Sequence, residues 1–126
     1  MILGLGTDLV SVARIAAVHA RQGRRFLDRV YTAAELDYCL AAREPAERLA
    51  ARWAAKEACM KALGTGWAKG VTFTQIELLP GADRGAPILI LSGAARERAV
   101  ALGATRWLCS VSHSDGLAIA TVLLEG

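Results

Sequence analysis

Trp53-Ala-Ala-Lys56-Glu57-Ala-Cys-Met-Lys61-Ala-Leu-Gly64-Thr-Gly66 sets one carboxylate between two lysines on an apolar, alanine-rich run. Its composition predicts a helix, with Pro45 near the start, where its missing N–H would be an orphan anyway, and Gly64 at the end. Helical spacing then stacks Trp53, Glu57 and Lys61 one turn apart on one face, with Lys56 flanking the stripe. Taken alone, the stripe reads as a solvated Glu-to-Lys pair worth about 0.2–0.5 kcal/mol. Its meaning depends on what the rest of the chain brings to it.

Upstream, Ile2 to Val10 is a strand signal interrupted by Gly4 and Gly6, which let another group approach the backbone closely. Val12, Ile15, Ala16 and Val18 begin an amphipathic helix that carries Arg14 and Arg21 and is ended or bent at Gly23. Thr32-Ala-Ala-Glu35 is a capping-box sequence and predicts a helix over about 33–42. Downstream, the alternating run Val71 to Leu79 reads as a strand, Gly81 to Pro87 as a loop, and Pro87 to Leu91 as the returning strand. Ser92 suits the N-cap of a helix ending at Gly103. Trp107 to His113 and Leu117 to Leu124 make a hairpin through Ser114-Asp115-Gly116. The expected architecture is α+β, an antiparallel sheet packed against helices, in a single domain over residues 1–126.

Composition narrows the function. Hydrophobic residues make up 54% of the 126, more than a monomer of this size easily hides, so an oligomer is expected. Three cysteines without C-x-x-C spacing argue against a disulfide framework and for a reducing cytosol. Two histidines, distant in sequence, argue against a structural zinc site. The N-terminal residues lack a basic region, and no apolar run approaches membrane-spanning length. Residues 1–30 hold five arginines against two aspartates, which accounts for the whole net charge of +3. A basic N-terminal helix on a neutral body suits an acidic partner more than nucleic acid, for which aromatics, only 6% of the chain, would be interleaved with the basic residues.

Two acids then call for comparison. Gly4-Leu-Gly6-Thr7-Asp8 lacks the third glycine of a dinucleotide fingerprint. Asp8 reads either as an exposed strand-end carboxylate, with small residues before it so that a ligand or metal sits against the backbone, or as a cap on the helix starting near Ser11. Mg²⁺ prefers oxygen and is typically held by one or two carboxylates plus substrate phosphates, so Asp8 and Glu57 are the candidate pair. Lys61, a turn beyond Glu57, would neutralise phosphate charge.

The patterns G-x-G-x-D-[LIV]-V and R-W-A-A-K-E-A-x-x-K-A-x-G-T-G, with Arg14-Ile15, Tyr31-Thr32-x-x-Glu35, Gly85-x-Pro87, Ser112-His113-Ser114 and Ala118-Ile-Ala-Thr121, together resemble the holo-acyl-carrier-protein synthases, the small 4′-phosphopantetheinyl transferases. The resemblance spans nearly the whole chain. It implies transfer of 4′-phosphopantetheine from coenzyme A to a serine of apo acyl carrier protein, in support of fatty acid biosynthesis, with release of adenosine 3′,5′-bisphosphate. Mg²⁺ would be bound by Asp8 and Glu57, and catalysis would rest on Asp8, Glu57 and Lys61. Coenzyme A would meet Lys56, Lys61, Gly64, Gly66 and His113, the last from a neighbouring subunit of a homotrimer. Glu57 or a metal-ordered water is the implied base. The acidic carrier protein would dock on Arg14, Arg21 and Arg24, the latter two inferred from charge and helix spacing. A cytoplasmic location is expected. Val10 stands where larger superfamily members have a further acid, and Ala86 replaces a basic residue common in its turn. The competing reading is a non-catalytic oligomeric module that holds an acidic protein through the arginine helix.

Overall fold

The computed structural model describes residues 1–126, the side chain of Arg84 excepted. Strand β1 (Ile2–Ser11) leads into helices α1 (Val12–Gln22), α2 (Arg24–Val30), α3 (Ala33–Leu40) and the long α4 (Ala46–Leu63). Strands β2 (Ile76–Leu79) and β3 (Ile88–Leu91), helix α5 (Gly93–Ala101), and strands β4 (Arg106–Ser114) and β5 (Leu117–Glu125) complete the chain. β1, β5 and β4 form one antiparallel sheet in that order, and β2 and β3 form a second. The expected α+β arrangement is therefore present.

The contact between α4 and the three-stranded sheet organises everything else. Ala118, Ala120, Val122 and Leu124 of β5 turn inward and are buried. The register sets Gly6 opposite Val122 and Gly4 opposite Leu124, so the glycines share that inward face. A Cβ on Gly6 would stand 1.9 Å from the Ala58 carbonyl oxygen, and one on Gly4 would stand 2.3 Å from that of Ala62. The group expected to approach these glycines was a ligand or metal; it is the backbone of α4. The outward face of the same sheet carries Leu5, Leu9, Leu108, Leu117 and Ile119, all exposed, with Leu9 opposite Ile119 in register.

Local signals explain most element ends. The capping box is complete: Thr32 Oγ1 accepts the Glu35 N–H at 3.2 Å and Glu35 Oε1 accepts the Thr32 N–H at 2.9 Å. Asp115 and Gly116 make the β4–β5 turn with φ of 51° and 77°, as a two-residue hairpin requires. Two expectations are corrected. The strand anticipated over 71–79 begins only at Ile76, because Phe73–Gln75 forms a 3₁₀ turn. Its Phe73 carbonyl and that of Ile76 are taken by the Lys56 ammonium, and Gln75 Oε1 accepts the Thr72 N–H at 3.3 Å. Ser92 makes no side-chain cap; Gln75 Oε1 accepts the Ala95 N–H at 3.2 Å and serves the first turn of α5 in its place.

Candidate active site

From Leu49 to Leu63, α4 is buried at every position except Trp53, Glu57 and Lys61. The stripe read from helical spacing is thus the only part of residues 49–63 that is not buried, while the first turn of the helix, with Glu47 exposed, opens on a different side. Asp8 on β1 reaches the window that the stripe makes. It is free to do so because Ser11, not Asp8, caps α1, its Oγ accepting the Arg14 N–H at 3.2 Å. Lys61 Nζ joins the two elements, donating to the Thr7 carbonyl at 2.9 Å and to Asp8 Oδ1 at 3.3 Å.

Glu57 feels this company. Burial and the nearby Asp8 charge push its carboxyl above the ordinary carboxylate range, while Lys61, the neighbouring Trp67 indole and the charge of Arg14 oppose the rise. Two like charges brought together are a donor set suited to a cation: oxygen-only, without cysteine or histidine, the preference of a hard ion such as Mg²⁺. The structure brings Asp8, Glu57, Lys61 and Arg14 to one place from β1, α4 and α1.

Gly64 ends α4 in the left-handed region at φ 71°, and the N–H groups of Gly64 and Thr65 return to the carbonyls of Lys61 and Met60. Gly66 is also left-handed, at φ 52°, and space around it is open. Beside the window, Phe26, Trp53, Phe73 and Trp67 form a ladder of rings 5.0 to 6.2 Å apart. They wall a cavity of about 360 Å³ with Arg14 and Arg29 at its edge. Arg21 and Arg24 are exposed further along, and Arg24 Nε donates to Asp28 Oδ1 at 2.8 Å. An exposed i,i+4 pair of this kind contributes little to stability.

Lys56 requires a correction. Expected among the coenzyme A contacts, it is wholly buried, bonded to Glu35 Oε1 at 2.7 Å and to the Phe73 and Ile76 carbonyls. All three of its ammonium protons have acceptors inside the protein, so none is available to a ligand.

His113 lies elsewhere. It pairs in register with Ala118, and Ala118 with Val10, which puts it on the strand farthest from Asp8. It borders a cleft of about 770 Å³ with Arg48, Arg52, Tyr38 and the Gly85–Pro87 turn. Arg48 and Arg52 lie over the Tyr38 ring, 4.0 and 4.5 Å from its centroid. Arg52 is 5% exposed, donates to the Leu78 carbonyl at 3.3 Å, and faces no carboxylate among the described residues. His113 Nε2 is 3.3 Å from Glu47 Oε1 at the mouth. At about 100° per residue, Arg52 and Arg48 stand roughly 140° and 180° around α4 from Glu57. The two clefts therefore open on opposite flanks of one helix. Sequence reading passed over Tyr38, Arg48 and Arg52, although two arginines at i,i+4 on an apolar helix were a usable signal.

Known proteins resemble the chain along nearly its whole length. The 4′-phosphopantetheinyl transferase superfamily profile matches residues 4–122. The holo-[acyl-carrier-protein] synthase of Solidesulfovibrio magneticus is 51% identical over 126 residues, covering 100% of both chains. The crystal structure of the Neisseria meningitidis holo-[acyl-carrier-protein] synthase superposes with a TM-score of 0.90 at 36% identity, covering 100% of both. That of the Helicobacter pylori enzyme in complex with coenzyme A gives 0.83 at 32% identity, covering 96% of this chain and 99% of that one. The chain belongs to the 4′-phosphopantetheinyl transferase superfamily, and within it to the holo-[acyl-carrier-protein] synthases.

Proposed function

We propose that the chain transfers 4′-phosphopantetheine from coenzyme A to a serine of an acidic apo acyl carrier protein of fatty acid synthesis, at a Mg²⁺ site held by Asp8 and Glu57. The observation that carries this reading is the meeting of Asp8, Glu57 and Lys61 at the open stripe of α4 formed by Trp53, Glu57 and Lys61. Mg²⁺ bound there supplies charge neutralisation on the coenzyme A pyrophosphate. Lys61, half-exposed on a flexible stem, turns from Asp8 toward that phosphate. The serine Oγ bonds to the phosphorus attached to pantetheine as the bond to the departing adenosine 3′,5′-bisphosphate breaks. Glu57, or a water ordered by the metal beside it, would take the serine proton. Gly64 and Gly66 leave room along the open loop for coenzyme A.

His113, Arg48 and Arg52 act from a neighbouring copy. Their cleft faces away from Glu57 in the same chain, and Arg52 faces no carboxylate among the described residues, which suits its guanidinium to a phosphate of coenzyme A. The exposed apolar rows of the sheet's outer face give copies a surface on which to meet in a homotrimer. Asp8→Asn and His113→Ala chains, each weak alone, should recover activity when co-expressed, because mixed assemblies contain sites with both residues intact. No recovery in mixed assemblies verified by mass would place both residues in one chain.

Arg14 stands at the lip of the window and suits carrier-protein docking with Arg21 and Arg24. Arg14→Glu should raise KM for carrier protein about tenfold while moving KM for coenzyme A much less. Equal changes in both would count against docking. The function itself is tested by the mass of apo acyl carrier protein after incubation with the chain, coenzyme A and Mg²⁺. A phosphopantetheine adduct that disappears with chelator and with Asp8→Ala is expected; a binding module would give none.

A further inference from the structure

Lys56 and Glu35 form a pair that touches no substrate and yet lies next to Glu57 in sequence. Lys56 Nζ donates its three protons to Glu35 Oε1, Phe73 O and Ile76 O. Glu35 Oε1 also accepts the Thr32 N–H, and Oε2 accepts the Leu78 N–H at 3.0 Å. Both side chains are 0% exposed. One buried bond thus ties α3, α4, the 3₁₀ turn and β2 together.

Stability alone is a poor account of this arrangement. Desolvating two charges offsets most of their attraction, and well-packed neutral side chains often hold a core equally well. A hydrogen-bonded charge pair provides direction that apolar contacts do not. On the opposite side, α4 is held against Gly4 and Gly6, whose lack of Cβ fixes its distance from β1. Lys56 precedes Glu57 and Ala58 follows it, so the two clamps straddle the carboxylate by about 100° each way around the axis. Asp8 is fixed by the sheet, so any turning of α4 changes its separation from Glu57. The same ammonium holds the Phe73 carbonyl, and the Phe73 ring stacks on Trp53 at 5.0 Å and meets Trp67 at 5.8 Å.

We propose that Lys56 and Glu35 are positioning residues for the carboxylate pair, the buried bond setting the rotation of α4 that aims Glu57 toward Asp8. This rests on the reading of Asp8 and Glu57 as cation ligands.

The test is the neutral double variant Lys56→Met/Glu35→Gln, in which the new glutamine keeps an acceptor for the Leu78 N–H and the new methionine keeps the aliphatic volume. Binding of Mn²⁺ in the presence of coenzyme A is followed by the electron paramagnetic resonance of the free ion, beside thermal unfolding and steady-state kinetics. The variant should still fold, with a midpoint lowered by the loss of the donor to the Phe73 and Ile76 carbonyls, bind Mn²⁺ about 10–100-fold more weakly, and lose kcat with little change in KM for coenzyme A. Parental Mn²⁺ affinity and kcat in a folded variant overturn the proposal. So does failure to fold, which makes the pair structural. Asp8→Asn, run in parallel, separates the two levels: if it leaves Mn²⁺ binding unchanged, the cation reading falls and takes this inference with it. If it abolishes binding while the double variant does not, only the positioning role falls.

Discussion

Glu57→Gln is expected to lower kcat/KM for carrier-protein modification by about 10²–10⁴-fold while leaving the thermal midpoint unchanged or raised. Glutamine keeps the shape of the side chain and removes its charge, which the proposed cation and the serine proton both need. The stability half follows from linkage. Burial and Asp8 raise the folded-state pKa of Glu57 above its unfolded value, so the folded chain holds this proton more tightly. Between those two pKa values stability falls as pH rises, and above both of them the ionised carboxylate is a cost that glutamine removes. Rates from the carrier-protein mass shift and midpoints from scanning calorimetry, both at pH 7, check the two halves together. Activity within threefold of the parent, or a clear drop in midpoint, would falsify the assignment of Glu57 as a group kept for chemistry.

Gly6→Ala should damage both fold and activity, by about 3 kcal/mol or more of unfolding free energy. The added Cβ would lie 1.9 Å from Ala58 O and 2.8 Å from Ala62 N, both backbone atoms of the helix with no rotamer to yield. Relief requires β1 to move away from α4, and Asp8, two residues on, moves with it. Gly66→Ala makes the contrast: no atom lies within 4 Å of its Cβ, so only the left-handed backbone is strained, at about 1 kcal/mol. Urea unfolding of the two variants and the parent gives the comparison. A Gly6→Ala chain with the parental midpoint would show that the sheet–helix contact is softer than its geometry.

The gross fold was legible because its punctuation is local. Thr32 with Glu35, Pro45, Gly64 and Asp115-Gly116 each determine an element end through bonds within a few residues. What escaped reading depends on partners far along the chain. Glu35 has a second role as the buried partner of Lys56, 21 residues away, and nothing in the capping-box pattern shows it. Lys56 next to Glu57 looked like a ligand-facing lysine, since a one-residue step around a helix does not tell which side meets solvent. The strand expected over 71–79 starts only at Ile76, since residues 73–75 coil into a 3₁₀ turn whose Phe73 carbonyl meets that same lysine. Asp8 was ambiguous until Ser11 was seen to serve α1. The association of Asp8, Glu57 and Lys61 was readable from chemistry; the separation of His113 from them follows from sheet register, which the sequence shows only once strand order is known.

The enclosure of α4 bears on how such a chain can change over generations. Selection on catalysis and selection on folding meet in one helix, where every residue from Leu49 to Leu63 other than Trp53, Glu57 and Lys61 is committed to the interior. Drift there is narrow, since a substitution at any other of these positions apart from Arg52 and Lys56 disturbs the core before it reaches the chemistry. Under the proposed docking, new carrier-protein preferences would arise at exposed positions of α1, such as Arg14 and Arg21, and of the segment after Gly64, such as Trp67.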